Sequence, residues 1–282
     1  MGCKNTDDNY IKFEHDKKIV LINKGSDFRC LDINGIASVD VTFQPLTNPY
    51  VAGSVLVNEH DDLRIISIDL DCGHEYRDYV TNFFAAGNPG RLTMKWGNNE
   101  RYIDYKIADM DIDQNCVCRR LKVLLTLHCP DPYWNDMDDF GENLADTNRL
   151  LATPFVWLTD ENYVVSYSKY STQVALSNNG NVPIGVKLRI YATGTVLNPR
   201  INIGDEFIKV RAELNRNDIL EISTVRRQKY VRLNGENILH RVDEESSFIE
   251  LPVGTHTITW GADDGVQHMQ IYVSRRWQYK GI

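Results

Sequence analysis

The stretch Val231-Arg232-Leu233-Asn234-Gly235-Glu236 decides the class of the second half of the chain. Val231 and Leu233 flank Arg232 with the two-residue period of a strand that buries one face. The Asn-Gly pair that follows tolerates the positive φ angles of a tight hairpin turn, so the chain should reverse onto a second strand. Leu251-Pro252-Val253-Gly254-Thr255-His256 reads in the same way, as a tight turn between strands. Strand-like runs at 163–167, 172–176, 186–192, 207–211, 219–223, 230–233, 247–251, 256–260 and 266–273 surround these turns with almost no helical periodicity. Strands at this density, separated by Gly, Asn and Pro, indicate an antiparallel sandwich.

The first half is β-rich and carries one helix. Strands are expected at 18–22 and 28–33, followed by a hairpin turn at Asn34-Gly35. From Ala37 to Phe43 the apolar Val39, Val41 and Phe43 alternate with Ser38, Asp40 and Thr42, the pattern of a half-buried strand. A further strand is expected at 63–70. Then Tyr76, Tyr79, Val80, Phe83 and Phe84 fall at helical spacing over 76–86, and Gly87-Asn88-Pro89-Gly90 should stop that helix. Residues 92–96 and 102–107 flank Gly97-Asn98-Asn99 as a hairpin, and 120–128 form another apolar strand. Around 136–150 the composition turns acidic and polar, which suggests a domain boundary. The 282 residues suit two domains, expected at 1–147 and 148–282.

With 42% hydrophobic and 25% charged residues, the chain can bury ordinary cores. A net charge of -8 argues against a surface that tracks nucleic-acid phosphates. The two short basic clusters, Arg226-Arg227-Gln228-Lys229 and Arg275-Arg276, are read as solvated strand edges. Cysteines stand at 3, 30, 72, 116, 118 and 129 without a C-x-x-C pair. Cys116 and Cys118 would share a strand face and lie too close for a good disulfide, so a reducing site of synthesis is expected. No apolar run reaches the length of a membrane span, and the N-terminus lacks a secretory apolar region. Met1-Gly2-Cys3-Lys4-Asn5-Thr6 fits the loose myristoylation pattern, one short enough to recur by chance, and no anchor is assigned from it.

Clusters that could carry chemistry fail on spacing. Asp109, Asp111 and Asp113 resemble the start of a calcium loop, but Gln114 and Arg120 stand where the loop needs its turning Gly and its bidentate Glu. They are read as the solvent-facing side of a strand. In Asp136-Met137-Asp138-Asp139-Phe140-Gly141-Glu142 the Gly fits, yet Phe140 and Thr147 occupy ligand positions, so this segment is read as a linker. No G-x-S-x-G, H-E-x-x-H or P-loop sequence occurs, and the seven histidines show no metal-ligand spacing. Thirty-nine acidic residues guarantee close pairs by abundance alone, so they carry no weight for sugar hydrolysis. Cys72-Gly73-His74 is the nearest Cys/His pair and is read as a turn, with Gly permitting it and a polar residue capping the helix. No catalytic, cofactor or metal residue is assigned. Trp157, Tyr163, Tyr167, Tyr170, Trp260 and Trp277 leave carbohydrate binding as the alternative function, although such aromatics more often serve cores and interfaces.

Read in order, Leu31-Asp32-Ile33-Asn34-Gly35-Ile36, the helix at 76–86 with its Gly-Asn-Pro-Gly stop, Cys129-Pro130-Asp131-Pro132-Tyr133-Trp134, Leu176-Ser177-Asn178-Asn179-Gly180-Asn181-Val182-Pro183, Ile190-Tyr191-Ala192-Thr193-Gly194-Thr195-Val196-Leu197-Asn198-Pro199, Val231-Arg232-Leu233-Asn234-Gly235 and Leu251-Pro252-Val253-Gly254 resemble the siphophage distal tail protein family. Asp131-Pro132-Tyr133-Trp134 is the most specific of these landmarks. The resemblance implies a mainly β chain: an N-terminal β-barrel or sheet domain with one helix, and a C-terminal antiparallel galectin-like β-sandwich projecting outward. It implies that the N-terminal domain assembles with itself into a hexameric ring continuing the tail tube. The implied partners are the tail tube protein, the tail hub protein, and a receptor-binding protein or host glycan. The implied place is the virion tail tip after synthesis in the bacterial cytoplasm, with no enzyme activity, cofactor, membrane or specific nucleic-acid partner. Residues 274–282 return to the N-terminal domain in some relatives and are expected to do so here. Relatives in contractile phages and phage-like bacteriocins leave the tail type open.

Overall fold

The computed structural model describes residues 9–47, 50, 52–113, 120–144, 147–149, 168–170 and 172–282. The expected strand at 163–167, residues 1–6, Cys116, Cys118 and Trp157 lie outside them, and the side chain of Tyr170 is likewise not described. The expected mainly β, antiparallel architecture is borne out, with a single α-helix among the described residues. The chain forms two units, Met1–Met137 with Gln278–Ile282, and Asp138–Trp277.

The first unit contains β1 (Tyr10–His15), β2 (Lys18–Ile22), β3 (Arg29–Asn34), β4 (Val41–Thr47), β5 (Ser54–Asp61), β6 (Arg64–Cys72), α1 (Arg77–Phe83), β7 (Pro89–Trp96), β8 (Asn99–Ile112), β9 (Leu121–Cys129) and β10 (Trp134–Asp136). Its main sheet runs β2-β1-β7-β8-β9-β6-β3. Alternation explains why it forms. In β6 and β9 every second residue is buried, and the register sets Ile66 opposite Leu127 and Ile68 opposite Leu125 on one face. Val80 and Phe83 of α1 join that core, where Phe13 meets Phe84 edge-on with ring centroids 5.2 Å apart.

Three local expectations are corrected here. The helix expected over 76–86 is a 3-10 turn at His74–Tyr76 followed by α1, which ends at Phe83. The Gly87 amide (φ +89°) donates to Ile107 O at 2.8 Å, so the chain is already leaving for the sheet. Asn34-Gly35 is not a hairpin turn, because β3 pairs with β6 and β4 pairs with β5 in a separate sheet. Gly35 (φ +84°) is instead required by a close approach, since a Cβ there would lie 2.1 Å from the Ile65 carbonyl oxygen. The strand expected over 37–43 starts only at Val41, and Phe43 is exposed rather than half-buried, because nothing in the described chain covers that face of the β4–β5 ribbon.

The second unit contains β11 (Phe140–Asn143), β12 (Thr147–Arg149), β13 (Ser168–Tyr170), β14 (Gln173–Asn178), β15 (Ile184–Ala192), β16 (Val196–Leu197), β17 (Arg200–Ile203), β18 (Glu206–Lys209), β19 (Glu213–Leu214), β20 (Ile219–Ser223), β21 (Tyr230–Leu233), β22 (Glu236–Asn237), β23 (Glu250–Leu251), β24 (Gly254–Gly261) and β25 (Met269–Arg275). One sheet runs β11-β25-β15-β20-β21-β22, with β23 on β15, and the other runs β14-β24-β17-β18. Val186, Leu188 and Ile190 share one core with Leu176, Ile258 and Trp260. Asn234 (φ +51°) and Gly235 (φ +88°) make the expected two-residue turn between β21 and β22.

The acidic segment read as a linker carries strands on both sides, β10 and β11. Phe140 of β11 stacks on Trp277 at 3.8 Å, which holds the segment against the sheet. After β25 the chain re-enters the first unit, where β26 (Gln278–Tyr279) pairs with β10.

Candidate functional site

The clusters singled out from the sequence do not assemble into a reactive centre. Among the described residues no group of His, Cys, Asp and Glu could hold a metal ion. Asp109 and Asp111 are exposed on β8, as expected of the outer side of a strand. Cys72 is buried at the end of β6, and burial raises its thiol pKa above the ordinary value. Gly73 has an extended φ of -67°, and no side chain caps the turn after it, so both parts of the expected explanation for that Gly are corrected. What crowds it is the Glu75 carboxylate, which would lie 2.3 Å from a Cβ. Arg226-Arg227 forms a turn between β20 and β21, with Arg226 3.4 Å from Glu250, rather than a strand edge. Arg275 is not solvated: it is buried, donates to Ser177 O at 3.0 Å and lies 3.4 Å from Glu142. Trp260 is in the core, and one ring face of Trp277 is taken by Phe140, so neither supports the sugar-stacking alternative.

The most specific sequence landmark builds a corner of the first unit. Trp134 is fully buried and donates through Nε1 to Ile36 O at 3.2 Å. Tyr133 donates its hydroxyl proton to Asp61 at the base of β5. Pro132 presents its carbonyl to Arg64 Nε at 2.7 Å. Arg64 also donates to Gly35 O at 2.6 Å and to Lys280 O. Its burial lowers the guanidinium pKa, and among the described residues its hydrogen-bond acceptors are three backbone carbonyls and no carboxylate.

The C-terminal segment is held in the same corner. Lys280 reaches Asp61 at 3.1 Å, Gln278 donates to Asn135 Oδ1 at 3.0 Å, and Arg101 lies over the Tyr279 ring at 3.5 Å. A Cβ at Gly281 would come within 2.0 Å of Ala37 O, so the last residues pack without spare room. Arg64 gave no signal in the sequence, because a lone Arg beginning a strand reads as surface.

From this corner the β4–β5 ribbon projects. Phe43 is 47% exposed, Leu46 66%, Val55 69%, and Leu56 and Val57 each 57%. Among the described residues, fifteen exposed large apolar residues lie in the first unit and five in the second. Apolar surface concentrated in this way marks a binding face. Ile19 and Leu21 on edge strand β2 are exposed on one face, and Leu31, Ile65 and Leu124 on β3, β6 and β9 are exposed as well. The candidate site is therefore a set of contact surfaces.

Residues 179–277 match the family model described as a siphovirus-type tail component, C-terminal domain. No curated protein matches the chain. The fold is similar to the crystal structure of the SPP1 Dit protein, described as a paradigm of hub adsorption apparatus in Gram-positive infecting phages. The TM-score is 0.68 at 12% identity, covering 95% of this chain and 98% of that one. It is also similar to a chain of the phage P2 baseplate in its activated conformation with Ca, with a TM-score of 0.50 at 12% identity over 97% and 99% of the two chains. A chain of the same baseplate with Sr gives 0.50 at 13% identity.

Proposed function

We propose that this chain is a structural tail component of a phage, a distal-tail subunit at the tail tip or baseplate. The observation that carries the reading is the match of residues 179–277 to a tail-component domain family. A fold shared over nearly the whole chain with a phage hub protein supports it. The carbohydrate-binding alternative is not favoured.

The finer reading is that the first unit assembles with copies of itself into a closed ring of about six subunits, joining the tail tube to the hub and to host-binding components. A rotationally closed ring needs a heterologous contact, in which two different surfaces of one chain meet. The exposed apolar residues of the first unit supply such surfaces. Catalysis plays no part in this reading, since an adaptor works by shape and contact. Negative-stain images and light scattering of the purified chain should show rings with a central channel. A chain that stays monomeric at micromolar concentration, alone and with its tail tube protein, would sink the ring. Release of soluble fragments from host cell wall would overturn the non-enzymatic part.

A further inference from the structure

We propose that residues 278–282 are a strap delivered by the second unit, so that the corner around Arg64 closes only after the second unit has folded. The dependence runs one way, and it does not rest on the ring reading.

The strap carries much of the corner. Arg64, at 2% exposure, donates to the carbonyl of Lys280. Arg101 donates to the carbonyl of Gly281 at 2.5 Å and lies over the Tyr279 ring. The Ile282 amide donates to Ile36 O at 3.3 Å, and the side chains of Tyr279 and Ile282 pack against the core of the first unit. With the strap away, Arg64 would keep only the carbonyls of Gly35 and Pro132, and Asp61 would lose Lys280. A buried cation short of an acceptor is unfavourable, so the corner is incomplete until the strap is seated.

The strap cannot hold this place by itself. Its residues are no more than half-buried, and its ladder with β10 consists of Trp134 opposite Tyr279 and Asn135 opposite Gln278. Asn135 and Gln278 stand 143 residues apart, a long loop for so short a ladder to close. Within the second unit, Phe140 pairs with Arg275, and β25 is held in turn along β15. Once those ladders exist, the loop from Asn135 to Gln278 shortens to about eight residues, which raises the effective concentration of the strap at β10 roughly fifty- to hundredfold. The centre of the first unit has no such need. The pairing of β6 with β9 and of β7 with β8 draws only on residues 64–129. The centre of the first unit and the second unit therefore form independently, and the corner closes after both.

Pulse-labelled hydrogen exchange during refolding of the full chain tests the order, in the wild type, Leu188→Ala and Gly281→Val. Leu188 is 2% exposed in the second unit's core, and a Cβ at Gly281 would lie 2.0 Å from Ala37 O. In the wild type, amides of 66–70 and 123–127 should gain protection first, and those of 134–136 and 278–279 no earlier than those of 269–275. Leu188→Ala should delay 134–136 and 278–279 by the same factor as 269–275 while leaving 66–70 and 123–127 unchanged. Where that variant keeps the second unit from folding at all, the corner should stay open beside a protected centre. Gly281→Val should leave 269–275 protected, yet make 134–136 exchange at least about tenfold faster in the native state. Corner amides protected ahead of 269–275, in the wild type or in Leu188→Ala, would overturn the strap. So would a Gly281→Val chain whose residues 134–136 exchange as slowly as in the wild type.

Discussion

Arg64 is a cation in a place that almost no water reaches, and its three carbonyl acceptors come from residues 35, 132 and 280. Arg64→Met should destabilise the first unit by about 3 kcal/mol in urea denaturation, because buried acceptors lose their donor. Arg64→Lys should recover less than half of that, since an ammonium cannot serve three carbonyls as a planar fork does. Nearby, burial pushes the Cys129 thiol from its ordinary 9.0 up to about 12. Above pH 9 the unfolded chain releases that proton while the folded chain keeps it. Stability should therefore fall with rising pH, by about 1.4 kcal/mol per unit from this group, and Cys129→Ala should flatten that part of the fall. Asp131-Pro132-Tyr133-Trp134 was visible in the sequence as a landmark, but Arg64 and Arg275 were not. Charge reads as surface unless one knows which distant carbonyls or carboxylates will meet it.

At the level of elements, two Asn-Gly pairs with the same local signal ended in different places. Gly235 turns a hairpin with open space around it, whereas Gly35 is pressed against the Ile65 carbonyl. Gly35→Ala should accordingly cost about 3 kcal/mol and Gly235→Ala about 1, which the difference in melting temperature of the two variants would show. Strand positions were largely legible because the period of two is local: β20 and β21 occupy the expected residues 219–223 and 230–233. The exposure of β4 was not, since alternation of Val39, Val41 and Phe43 shows that one face is apolar without saying what covers it. The strand Ser54–Asp61, which pairs with it, has no clean alternation and was not anticipated. Helical spacing located α1, but its end was set by the bond from Gly87 to a sheet residue.

Each unit of the molecule has a core of its own. Calorimetry of the full chain should resolve two unfolding transitions, and Arg64→Met should lower the one belonging to the first unit while leaving the other in place. A single shared transition, moved as a whole, would show that the cores unfold together. The compositional shift around 136–150 overlaps the place where Met137 and Asp138 fall in different units. It did not reveal that Phe140–Asn143 would be recruited as a strand, because Phe140 needs Trp277, far along the chain, as its partner. The order of the units along the chain has a mechanical consequence. The polypeptide leaves the first unit after Met137 and comes back at Gln278, so the second unit is moored by two lines. A protease that severs one bond within it leaves each fragment still fastened to the first unit.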